Sequence, residues 1–87
     1  MYKTETDNIL KDGQLKAVRL FWTRVGESPG TGVWIGSACL REGQGWWFNP
    51  RVSGHRPSRR HWPTWEECLP RWTGGLDSTT SYGVYSK

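Results

Sequence analysis

The chain has 87 residues, enough for a single domain and no more. Only 34% are hydrophobic, and much of that volume sits in seven Trp, three Tyr and two Phe; with eleven Gly and five Pro breaking the chain, this excludes a long helical bundle. The net charge is +4, no run of about 18 apolar residues is present to span a bilayer, and the first residues lack the apolar core of a secretory signal.

Tyr2 to Leu10 is polar, with only Ile9 and Leu10 as an apolar end, and reads as an N-terminal tail or a short edge strand. Asp12-Gly13 follows, the dipeptide favoured in two-residue hairpin turns. Leu15 to Val25 is a strand by composition: Val18, Leu20 and Trp22 share one face, and Arg19 and Thr23 lie on the other with Ala17 and Phe21. Gly26 to Gly32 is turn-rich. Val33 to Leu40 (VWIGSACL) is a second strand whose small centre, Gly36-Ser37-Ala38, admits a bulky neighbour. After Glu42-Gly43-Gln44-Gly45, Trp46 to Val52 is a third strand, with Trp46 and Phe48 facing one way and Trp47 and Asn49 the other. Pro50 lacks a ladder donor and suits an edge or a bulge.

Ser53 to Trp62 reads as a loop, broken by Gly54, Pro57 and Ser58. Thr64-Trp65-Glu66-Glu67 has the form of a capping box, with two acids at the positive end of a helix dipole. The helix is predicted from about Trp65 to Trp72, because Trp65, Cys68, Leu69 and Trp72 then form one apolar face. Trp62 before it suits a staple that fixes the helix approach. Leu76 to Lys87 is rich in Gly, Ser and Thr, with Tyr82 and Tyr85 its only large anchors. The expected fold is therefore α+β: a three- or four-stranded antiparallel meander with one C-terminal helix packed on one face. Residues 1–14 are an N-terminal tail or edge strand, 15–72 a single β-β-β-α domain, and 73–87 a flexible tail.

Charge is unevenly placed. Arg51, Arg56, Arg59 and Arg60, with His55 and His61, fall in one window without an acid; the other eight bases are matched by the eight acids. Such a patch attracts phosphate or an acidic protein surface, and Arg rather than Lys favours planar, bidentate or stacking contacts. Trp22, Trp34, Trp65 and Trp72 are expected in the core as hydrocarbon volume. Trp47 shares its predicted face with Asn49 and Arg51, the composition of a stacking platform or a protein hot spot. Cys39 and Cys68 form no C-x-x-C pair and are expected as reduced thiols in a cytoplasmic protein. His55 and His61 lack the paired cysteines of a zinc finger, so no metal and no cofactor is expected.

The run Gly45-Trp46-Trp47-Phe48-Asn49-Pro50-Arg51, then Ser58-Arg59-Arg60, then Pro63-Thr64-Trp65-Glu66-Glu67-Cys68-Leu69, resembles the last strand, basic turn and capped helix of three-stranded-sheet DNA-binding modules, the AP2 domain and the arm-binding domain of phage integrases. The resemblance covers roughly residues 15–72. It implies a sheet that enters the major groove with Arg side chains reaching bases and phosphates. A free-standing module of this size is similar to small phage or prophage accessory proteins.

No motif assembles an acid, a base and a nucleophile, so a non-catalytic protein is expected. The leading expectation is a nucleic-acid-binding module for DNA or RNA, with Arg51, Arg56, Arg59 and Arg60 on phosphates, Arg19, Arg24 and Asn49 near base edges, Trp47 stacking, and His55 and His61 flanking. The alternative is a small phage-type inhibitor or adaptor, an anti-defence factor that binds a host protein through the same Arg/Trp patch. A membrane partner is not expected.

Overall fold

The structure, a computed structural model, describes residues 2–28, 30–74 and 81–86. Strands β1 (Tyr2–Lys11), β2 (Gln14–Arg24), β3 (Val33–Arg41) and β4 (Gly45–Pro50) follow one another as an antiparallel meander. A fifth strand, β5 (Ser81–Ser86), pairs parallel to β1, so the sheet order is β4-β3-β2-β1-β5. Asp12 and Gly13 both adopt positive φ (53° and 77°), the two-residue turn whose twist matches the strands it joins.

Residues paired across a ladder share a face, so the registers define the two sides of the sheet. One side carries Thr4, Thr6 and Asn8 of β1, Val18, Leu20 and Trp22 of β2, Gly36 and Ala38 of β3, and Trp46, Phe48 and Pro50 of β4. This is the core side: Val18, Leu20 and Ala38 are fully buried and Phe48 is 1% exposed. Each Val, Leu or Phe removed from water here contributes about 1.5–3 kcal/mol. Gly36 leaves the space that Phe48 fills, since a Cβ on it would come within 2.5 Å of the Phe48 ring.

The chain after β4 folds back across this side. Val52, Trp62, Trp65, Leu69 and Trp72 pack on the core, with Cys68 buried among them. The expected α-helix over this segment is absent, which corrects the α+β assignment. Among the described residues there is only a 3-10 turn at Glu66–Cys68 and another at Arg71–Thr73. The cause is local: Leu69, before Pro70, is extended with ψ 127°, because a proline ring disfavours helical geometry in the residue preceding it. Only half of the capping box forms: the Thr64 hydroxyl accepts from the Glu67 amide at 3.4 Å, but the Glu67 carboxylate accepts from that hydroxyl (2.8 Å) and not from the Thr64 amide, and one turn follows. The helix implied by the likeness to AP2 and integrase modules is thus replaced by an irregular cover. That cover is pinned by Thr73, whose carbonyl accepts from Thr4 Oγ1 (2.9 Å) and Trp22 Nε1 (3.2 Å) and whose hydroxyl donates to the Pro70 carbonyl (2.7 Å).

Two further expectations change. The segment read as an N-terminal tail or short edge strand is a ten-residue strand flanked on both sides, with Thr4, Glu5, Thr6 and Asp7 buried. Residues 81–86, placed in a flexible tail, form β5; residues 75–80 and the side chains of Tyr82 and Tyr85 lie outside the described residues. β1 and β4 each have their outer flank met by another segment. β5 covers β1, and the outer edge of β4 is met by residues 58–62: the amides and carbonyls of Trp46 and Trp62 bond reciprocally (2.8 and 2.9 Å), and Ser58 donates to the Phe48 carbonyl (3.0 Å). Gly45 permits this approach, since its φ is +117° and a Cβ there would stand 2.5 Å from the Trp62 carbonyl oxygen. An edge blocked in this way offers no template for uncontrolled strand pairing.

Candidate nucleic-acid interface

The side of the sheet away from the cover carries Lys3, Glu5 and Asp7 of β1, Arg19, Phe21 and Thr23 of β2, Trp34, Ser37 and Cys39 of β3, and Trp47 and Asn49 of β4. Trp34 was expected in the core. A β-bulge moves it: Leu20 pairs with Gly36 while Phe21 pairs with Trp34, so Ile35 is an extra residue in β3. Ile35 joins the core at 1% exposure, and Trp34 turns to the opposite side. The available signal was the run Val33-Trp34-Ile35, three apolar residues where a one-side-wet strand should alternate.

The bulge also positions Arg51. The Ile35 carbonyl, freed from the ladder, accepts the Arg51 amide at 2.8 Å. The Arg51 guanidinium then lies 4.0 Å from the centroid of the Trp34 ring. The ring itself is oriented by its Nε1, which donates to the Gly36 carbonyl (3.0 Å) and the Ser37 hydroxyl (3.2 Å). An Arg over a Trp face contributes about 0.5–1 kcal/mol at an exposed site.

The other expected contact residues separate into groups. Trp47 is half-buried and Asn49 exposed on β4, on the same side as Trp34. Arg19 reaches that side too, but its Nη2 donates to Asp7 Oδ2 at 2.6 Å, and its guanidinium lies over Trp34 (5.3 Å) and Phe21 (5.7 Å). Its charge is offset within the fold, so it acts as a structural cation that knits β1 to β2. His55 belongs to the cover, stacked on Trp72 with centroids 4.2 Å apart. Arg56 and Arg59 are exposed; Arg60 lies over Trp62 at 5.2 Å; His61 is half-buried beside it. Because Ser58 and Trp62 are bonded to β4, Arg59 and Arg60 flank the strand that carries Trp47 and Asn49. Among the described residues, no carboxylate pairs with Arg51, Arg56, Arg59 or Arg60; the ion pairs are Lys3–Glu5, Lys16–Glu42 and Arg19–Asp7.

Both cysteines are free thiols. Burial pushes Cys39 up, and pushes Cys68 up to about 12 with a smaller contribution from the Cys39 thiol. Neither is activated as a nucleophile, which requires a lowered pKa. No group of three His, Cys, Asp or Glu side chains capable of holding a metal occurs among the described residues, and no helix among them is long and apolar enough to cross a membrane. Comparison with family models, with curated proteins and with solved structures finds no match to this chain.

Proposed function

We propose that the protein is a non-catalytic nucleic-acid-binding module whose contact surface is the outer half of the sheet, β3 and β4, with the Arg-rich segment beside it. The observation that carries this is that Arg51, Arg56 and Arg59 are all exposed and without a carboxylate partner among the described residues, Arg51 directly following the strand that presents Trp47 and Asn49 and Arg59 lying in the segment bonded to its edge. Phosphates supply the counter-charge such a cluster lacks, and aromatic and amide side chains at its centre supply contacts to bases. Arg59 and Arg60 are held between two backbone anchors on β4, which limits the freedom they lose on binding.

The test is the salt dependence of binding. Nucleic-acid affinity of the parent protein should fall with a log–log slope of about −0.7 to −0.9 per phosphate contacted. R56A/R59A, which removes two exposed cations and no ring contact, should lose most of the affinity and lower that slope, with an unchanged melting temperature. An affinity indifferent to both salt and R56A/R59A would instead favour the alternative, a protein partner held by the aromatic residues.

A further inference from the structure

We infer that the nucleic acid taken by this surface is single-stranded, and that the Trp34–Arg51 stack is the seat of an unpaired base; this rests on the nucleic-acid reading above and narrows it. The platform is built before any ligand arrives. The bulge at Ile35 turns Trp34 outward, the freed Ile35 carbonyl fixes the root of Arg51, and two hydrogen bonds from Trp34 Nε1 fix the ring beneath the guanidinium. Arg51 is an exposed residue, so the stack is reachable from solvent. A guanidinium plane backed by an indole is a surface on which an unstacked base settles, and bases inside a duplex are not available to it.

The surroundings agree. Asn49 pairs with Ser37 between the rows of Trp34 and Trp47, and its amide offers both a donor and an acceptor to a base edge. Trp47, paired with Cys39, lies about 13–17 Å along the sheet from Trp34 at the usual strand rise, so the two rings serve different bases. A major groove about 12 Å wide admits an α-helix or a two-stranded ribbon. The described residues contain no α-helix, and the β4 edge beside the patch is occupied by residues 58–62. The half of the sheet face that ends at Arg51, with Arg59 and Arg60 along its β4 edge, suits a strand lying flat.

The experiment compares the full chain binding an oligo(dT) strand and an oligo(dA) strand of about 15 nucleotides with a duplex of the same length, at one ionic strength, by fluorescence anisotropy. At least one single strand should bind about tenfold or more tighter than the duplex, with quenching of tryptophan emission. R51K keeps the charge and loses the plane; it should weaken single-strand binding about five- to tenfold while leaving the salt slope unchanged. W47A, as a second variant on the same face, should weaken it by a similar or larger factor. Duplex binding as tight as single-strand binding overturns the inference, as does an R51K protein that binds like the parent. In both cases the nucleic-acid reading survives if R56A/R59A still abolishes binding. Failure to bind either form overturns that reading itself.

Discussion

On the covered side of the sheet Trp22 and Phe48 meet the Trp72 ring edge-on, at 6.1 and 5.8 Å, and Trp46 is 8% exposed beneath the returning chain. On the open side Trp34 meets two guanidinium groups, at 4.0 and 5.3 Å. The residue type is the same and the partners differ because only one side is crossed by residues 51–74. Under the cover, an indole is volume that packs on other rings; away from it, the Trp34 π face meets cations, of which Arg51 is exposed and Arg19 is held by Asp7. Ring-on-ring packing thus dominates one side and ring–cation contact the outer half of the other, and each of the following changes tests whether the proposed binding residues are separate from those that hold the fold.

The largest effect should come from the covered side. Phe48→Ala empties the space over Gly36 and should cost about 3–5 kcal/mol, close to the whole stability of a small domain, read as loss of the cooperative urea transition. Gly36→Ala makes the opposite error. Its Cβ would lie 2.5 Å from the Phe48 ring and 2.8 Å from the Asn49 carbonyl, and the overpacking should cost about 1–3 kcal/mol by the same measurement.

Cys68 gives a pH test of the same side. Its thiol is raised to about 12 in the folded protein against an ordinary value of 9.0. A raised folded value means that its contribution is complete below the unfolded pKa and is lost as pH climbs toward the folded one. Stability should therefore fall by about 1–2 kcal/mol between about pH 9 and pH 10.5, and Cys68→Ala should remove that part of the slope. A smaller loss, about 0.5–1.5 kcal/mol, is expected for Thr4→Val, which deletes the donor to the buried Thr73 carbonyl that ties the cover to β1.

On the open side, Asn49→Ala and Arg51→Lys should each move the denaturation midpoint by less than the equivalent of about 0.5 kcal/mol, while changing binding. A large loss of stability from either would mean that the open side also holds the fold together.

Alternation and punctuation made β2, β3, β4 and the Asp12-Gly13 turn legible in the sequence, since a half-buried antiparallel strand must alternate and a two-residue hairpin needs positive φ. The acid-free Arg window was equally plain, because charge balance needs no structure. The i, i+3, i+4, i+7 spacing of Trp65, Cys68, Leu69 and Trp72 correctly marked residues that pack on the core, yet no helix carries them there; Pro70 breaks the backbone and the burial is reached by two short turns. β1 was obscured because its buried residues Thr4, Glu5, Thr6 and Asp7 are polar.

What only the tertiary structure decided is which side each aromatic and each cation occupies. A one-residue bulge at Ile35 reverses the side of Trp34, and residues far apart in sequence complete the result: Arg51 stacks on that ring, and Asp7 takes up the charge of Arg19. The sequence by itself determined the inventory of rings and charges and most of the strands, because composition and period are local properties. Register, bulges and the path of the covering segment are not local; they follow from how the sheet pairs its strands and fills its core, and they separate a Trp that packs among other rings from a Trp that meets cations.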